Sequence, residues 1–145
     1  MEKERITVEE LLRRYAAGDR DFQNIILEYA DLSGVELQNI DLSCAQFNYV
    51  NLSSIRLNRC KLLSAQFWYC NFRDAKISSC NLESTRFFDC YLREVSTNNC
   101  NLTWTHFIRV NLQGAKLDGY CEEPCEFWDV IRQDGVFIPG HNFTI

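Results

Sequence analysis

No apolar run in the 145-residue chain approaches the ~20 residues that a membrane-spanning helix needs. The opening Met1-Glu2-Lys3-Glu4-Arg5 lacks the apolar stretch of a secretory leader, so a cytoplasmic protein is expected. Proline occurs twice and glycine six times, which excludes collagen-like and proline-rich linker sequences. Gly-x-Gly-x-x-Gly, phosphate-loop, His-Glu-x-x-His and Gly-x-Ser-x-Gly motifs are all missing. No acid, base and nucleophile converge in the pattern described below, so neither an enzyme nor a cofactor is expected. The formal charge of -5 is mild and gives no reason to expect nucleic acid. What is present, 46% apolar and 24% charged residues, is the composition of one folded domain.

A period of five runs through most of the chain. Every fifth residue from Phe22 to Leu117 makes 20 positions, and 19 of them are Leu, Phe or Ile; Thr97 is the exception. The residues two before each, from Ile25 to Ala115, are all Ala, Val, Ile, Cys or Thr. Between the two rows lies a polar residue in most units, as at Asp21, Asp31, Asp41, Asn51, Asn71, Asn81, Asn101 and Asn111. Helices repeat at 3.6 and strands at 2, so neither sustains this pattern. A chain that turns a corner every five residues does, with one large and one compact side chain pointing inward on each side. Phe47, Phe67, Phe87 and Phe107 also recur every twenty residues, and Phe127 continues the row. Four sides per coil stack these rings in one internal column, whereas three sides would scatter them.

Stretches such as Tyr29-Ala30-Asp31-Leu32-Ser33-Gly34 and Val50-Asn51-Leu52-Ser53-Ser54 carry the pattern Ala-(Asp/Asn)-Leu-x-x. Over residues 20–119 the chain resembles the pentapeptide-repeat family. The resemblance implies an all-β solenoid, a right-handed quadrilateral parallel β-helix. Twenty units make about five coils, roughly 24 Å at ~4.8 Å per coil.

Both ends of such a column need caps. Over residues 1–19, Thr7-Val8-Glu9-Glu10 reads as a capping box that starts a short α-helix, with Leu11, Leu12 and Tyr15 as its apolar stripe and Gly18 as its stop. Beyond residue 119 the pattern fails. Residues 120–145 read as a small β cap, with Asp134-Gly135 as a two-residue hairpin turn and Pro139-Gly140 ending the strand. Asp-Gly followed by a short strand resembles the tails of cyanobacterial members of the family. Inside the coil, Ser96-Thr97-Asn98-Asn99 predicts a bulge or a poorly filled layer.

Cys60, Cys70, Cys80, Cys90 and Cys100, five of the eight cysteines, fall on the compact inward position. They read as small buried hydrophobes. A disulfide or metal ladder is the sharper alternative, disfavoured because the side chains run parallel. Cys121 and Cys125 lie outside the clean repeat and could be free thiols, a loop-closing disulfide, or half of a zinc site with His106 and His141. No metal site is expected. His106 reads as a solvated outward residue.

Function is expected on the outer walls. The residues after each phenylalanine are Asn48, Trp68, Phe88, Ile108 and Trp128, with Tyr49 and Tyr69 beside them. Large apolar side chains at outward positions make Tyr49, Trp68, Tyr69, Phe88 and Ile108 a candidate protein-contact surface, for an unknown protein or a second copy. The alternative is internal cover by a tail carrying Phe143 and Ile145. Some relatives protect DNA gyrase by imitating DNA. Residues 42–117 carry nine basic and four acidic residues, the wrong sign for imitating phosphates. The expectation is a rigid, non-enzymatic protein-binding or scaffolding module. A gyrase-directed DNA mimic is the alternative, and neither a membrane nor a nucleic acid is expected as a partner.

Overall fold

The computed structural model describes residues 2–145. Strands β1 (Glu4–Arg5), β2 (Ile25–Glu28), β4 (Gln46–Asn48), β6 (Gln66–Trp68), β8 (Arg86–Phe88), β10 (His106–Ile108), β12 (Glu126–Ile131) and β13 (Phe137–Asn142) form one sheet in that order. Strands β3 (Glu36–Gln38), β5 (Arg56–Asn58), β7 (Lys76–Ser78), β9 (Ser96–Asn101) and β11 (Lys116–Tyr120) form a second. The registers join residues twenty apart: Phe47 opposes Phe67, which opposes Phe87, and Leu37 opposes Leu57, which opposes Ile77. Two further ladders of parallel bridges link Asp21, Asp41, Lys61, Asn81 and Asn101, and Asp31, Asn51, Asn71, Tyr91 and Asn111. Four ladders at a period of twenty are four walls of a square solenoid. In chain order, the first wall carries β2 and β4, the second Asp31 and Asn51, the third β3 and β5, and the fourth Asp41 and Lys61.

Each corner is made by the residue two after the large inward one. It takes a left-handed conformation, with φ 49° at Tyr29, 56° at Tyr49, 57° at Ser54 and 54° at Tyr69. Such a residue costs on the order of 1 kcal/mol, offset because its N–H bonds to the coil above, as Tyr49 N does to Trp68 O at 2.9 Å. The polar residue before each large one has a local task as well. Asp31, Asp41, Asn51, Asn71, Asn81, Asn101 and Asn111 each accept through Oδ1 from the backbone N–H two residues on, at 2.9–3.0 Å. This side-chain bond pre-forms the corner.

The interior is filled. Phe47, Phe67, Phe87, Phe107 and Phe127 stack with centroids 4.9, 5.2, 5.4 and 5.1 Å apart and planes within 16°. Phe72 meets Phe67 and Phe87 edge-on, at 4.9 and 5.5 Å. An interior void lined by Leu11, Leu37, Phe47 and Phe67 measures only ≈ 10 Å³.

The lower end is capped as the sequence predicts, with one addition. Thr7 Oγ1 accepts from Glu10 N at 3.1 Å and starts α1 (Val8–Ala16), whose Leu11 is fully buried. Tyr15 Oη accepts from Gln38 N at 2.8 Å, occupying a backbone donor on the lowest strand of the second sheet. The addition is β1, which pairs with β2 and closes the other sheet from below.

At the upper end the solenoid reaches further than expected. Phe127 stays in register with Phe107, and Ile131 with Asn111, so parallel pairing continues past residue 119 and the coils number about six rather than five. The pattern is hidden by the predicted bulge. Thr97 opposes Leu117 but Cys100 opposes Gly119, so Asn98 and Asn99 face Asp118 alone. Thr97 Oγ1 accepts from Asp118 N at 2.8 Å and donates to Asp118 O at 2.9 Å, holding the displaced strand. A Cβ on Gly119 would lie 2.2 Å from the Cys100 carbonyl oxygen, so only glycine fits the shortened coil.

β13 then runs antiparallel to β12. The turn is a correction to the two-residue reading of Asp134-Gly135. Arg132 N donates to Val136 O at 2.8 Å, and Gly135 at φ 88° closes a three-residue loop over residues 133–135. Nor do Pro139 and Gly140 end the strand. They bulge opposite Asp129, whose Oδ1 accepts from Gly140 N at 2.8 Å. Among the described residues no helix is long and apolar enough to cross a membrane.

Truncation of Phe67 to alanine leaves a cavity between rings held by fixed backbone ladders, and should cost about 3–5 kcal/mol. Chemical denaturation checks this; a loss below about 1 kcal/mol would mean that the column does not bear on stability.

Candidate interaction surface

The first wall carries the apolar residues singled out from the sequence. In each of its strands the central residue points inward and its two neighbours point outward. The column after the phenylalanines therefore runs Asn48, Trp68, Phe88, Ile108 and Trp128 in direct register. Trp68 and Phe88 stack at 3.8 Å with planes 12° apart, and Trp68 Nε1 donates to Gln66 Oε1 at 3.1 Å. Along the adjacent corner, Tyr49 and Tyr69 stack at 4.8 Å and are 49% and 50% exposed. Trp68, Phe88 and Ile108 are half-buried. Tyr29, unnoticed in the sequence, extends the corner column downward, stacked on Tyr49 at 5.1 Å and 76% exposed. Its spacing of twenty from Tyr49 was the available signal. Above Tyr69 the corner turns polar, where Arg109 and Asp89 form a bidentate pair at 2.8 and 2.9 Å.

The tail covers the top of this wall and leaves its middle open. His141 opposes Trp128 and stacks on it at 4.0 Å, Phe143 packs at 4.7 Å from His141, and His141 Nε2 lies 3.2 Å from Glu126 Oε2. The tail's cover of this wall, through His141 and Phe143, thus falls at the level of Trp128, one coil above Ile108. His106, read as a solvated residue, is half-buried in register with Glu126. Burial holds its pKa below the ordinary histidine value, against the opposing pull of Glu126.

Cys60, Cys70, Cys80, Cys90 and Cys100 are buried free thiols inside the solenoid. Cys60, Cys70, Cys90 and Cys100 donate from Sγ to the carbonyl 23 residues back, at 3.3–3.5 Å. Thr85 and Thr105 make the same bond at 2.7 and 3.0 Å. Cys125 makes it to Leu102 O at 3.2 Å, which corrects its placement: it occupies the compact inward position two before Phe127. Burial, reinforced by the nearby Cys121, pushes its thiol up to about 12. Cys121 is exposed. Among the described residues no three or more His, Cys, Asp or Glu side chains are grouped to hold a metal ion.

Comparison with known proteins agrees with this geometry. A family model described as "Pentapeptide repeat region" matches residues 50–130, and one for "Pentapeptide repeats (8 copies)" matches residues 25–62. The chain belongs to the pentapeptide repeat family. Solved structures similar to this pentapeptide repeat protein include HetL of Nostoc sp. strain PCC 7120, a protein involved in heterocyst differentiation regulation. HetL is 19% identical, with 92% of this chain and all of HetL covered and a TM-score of 0.41. A pentapeptide repeat protein of the Arabidopsis thaliana thylakoid lumen is 24% identical over 72% of this chain and 70% of its own, with a TM-score of 0.46. QnrB1, a plasmid-mediated fluoroquinolone resistance protein, is 15% identical over 90% of this chain and 74% of its own, with a TM-score of 0.42. No curated protein matches the chain.

The thiol geometry predicts sharply unequal reactivity. In the native protein, iodoacetamide at neutral pH should modify Cys121 first, while the five column cysteines react only after denaturation. Mass spectrometry of peptides from a time course checks this; rapid native labelling of Cys80 or Cys90 would contradict the packing.

Proposed function

We propose that this pentapeptide repeat protein is a rigid, non-catalytic binding module that presents its first wall to a protein partner. The supporting observation is the apolar surface formed by Tyr29, Tyr49, Trp68, Tyr69, Phe88 and Ile108, in which the tyrosines form one stack and Trp68 and Phe88 another. Side chains held in stacks lose little freedom on binding, and aromatic residues are favoured as interface anchors. The solenoid supplies the rigidity, because each strand is fixed by neighbours above and below. Residues 1–19 act in this reading as the lower cap and β13 as the upper one, at the two ends of a single domain whose β-helix runs on to Ile131. Eight free thiols suit a reducing compartment such as the cytoplasm. Imitation of DNA is not favoured, since the coils over residues 42–117 carry nine basic residues against four acidic ones.

The test is a Trp68→Ser/Phe88→Ser variant compared with wild type and with a control altered on the third wall at Lys76. Melting temperatures establish that all three fold. Affinity capture from the source lysate should yield a partner with wild type and the control, and lose it with the double variant. Sedimentation distinguishes a second copy: a dimer abolished by the same substitutions makes the partner another molecule of this protein. Identical capture by all three proteins, with a monomeric mass throughout, would overturn the proposal.

A further inference from the structure

A second site lies on the wall next to the aromatic one and is independent of it. On the second wall, Tyr91 sits one coil above Asn71 in a parallel bridge, and Asp74 N bonds to Arg93 O at 3.0 Å, which places Arg93 one coil above Arg73. The four side chains line a hollow of ≈ 210 Å³. Two arginines on successive rungs of a parallel ladder repel each other, and such pairs ordinarily destabilise a sheet. Nearby carboxylates relieve little of this. Arg73 Nε has only Asp74 Oδ2, at 3.7 Å. Glu94 follows Arg93 in sequence, but its carboxylate lies over Gly114 on the coil above, where a Cβ would come within 2.3 Å of it. Among the described residues, Arg93 forms no ion pair, and its Nε is shut off from solvent without an acceptor. Its charge is therefore partly stripped of water and uncompensated, a state that raises its attraction for an anion.

We propose that Arg73, Arg93, Tyr91 and Asn71 form a binding site for a phosphoryl group. A tetrahedral dianion answers the features of this hollow together. Its two charges match two guanidiniums, its several oxygens accept from both forks, and the Tyr91 hydroxyl and Asn71 amide supply neutral donors at the side. The hollow is smaller than the roughly 300 Å³ at which pockets begin to enclose whole ligands, so it suits a phosphate group whose bearer stays outside. Tyr91 is 60% exposed, leaving room for that bearer.

The test uses the full chain and the Nε–Hε signal of Arg93 in nitrogen-15 NMR spectra, assigned by its loss in Arg93→Lys. The Asn71 side-chain amide serves as a second reporter. Inorganic phosphate and phosphoserine, added at constant ionic strength, should move both signals saturably, while serine and chloride should not. In Arg73→Gln/Arg93→Gln, whose fold is verified by melting, the Asn71 response should weaken about tenfold or more, reflecting two lost charge-assisted contacts. A phosphoserine peptide then identifies the source. Tighter binding than free phosphate assigns the site to a phosphorylated chain, and equal binding assigns it to phosphate or a small phosphate ester; either upholds the proposal. Equal responses to chloride and phosphate, or an undiminished Asn71 response in the double variant, would overturn it.

Discussion

A chain that bends by a quarter turn every five residues returns to the same wall after twenty, and hydrogen bonding between like positions of successive coils enforces this return. Every other feature follows from that register. It puts Phe47, Phe67, Phe87, Phe107 and Phe127 face to face at 4.9–5.4 Å, because the rings inherit the spacing of the ladder. Outside, it produces the Tyr29–Tyr49–Tyr69 stack at the same interval. Side chains twenty residues apart become neighbours whether they attract or repel. Arg73 and Arg93 repel, Arg109 and Asp89 attract, and the backbone holds both pairs equally firmly.

The compact inward positions show how little chemistry the register demands. Cys60, Cys70, Thr85, Cys90, Cys100, Thr105 and Cys125 all donate to the carbonyl 23 residues back. Cysteine and threonine share a small volume and a hydrogen to donate, so they substitute for alanine and valine without leaving a polar atom unpaired. Packing thus accounts for the cysteines at the compact inward positions.

Most of the solenoid was legible because inward side chains obey a strict size rule, and that rule fixes both the five-residue side and the twenty-residue coil. The upper end was less so. One residue too few before Gly119 is made up again between Tyr120 and Glu126, so the size rule fails only around Tyr120 and Glu122, and Phe127 resumes the row in register with Phe107. β1 was invisible because two residues, Glu4 and Arg5, carry no periodicity, and only the open edge of β2 makes them a strand. On the surface, Trp68 and Phe88 stood out as misplaced apolar residues. The Arg73–Arg93 hollow did not, since an outward arginine is ordinary until its neighbour twenty residues away is known. The reach of the tail over Trp128, but not over Trp68, depended on a hairpin bulge at Pro139-Gly140 that sequence marked only as a strand end.

The register is tested most directly by insertion. Duplicating one full coil, residues 62–81, adds a storey without rotating any wall. The lengthened protein should remain cooperative in melting and grow by about 4.8 Å along its axis in small-angle scattering. Duplicating a single five-residue side, 62–66, turns everything above it by one wall and sets the phenylalanine column against the wrong ladder, so the melting temperature should fall sharply. If both insertions were tolerated alike, stacking at a period of twenty would not be what holds this protein together.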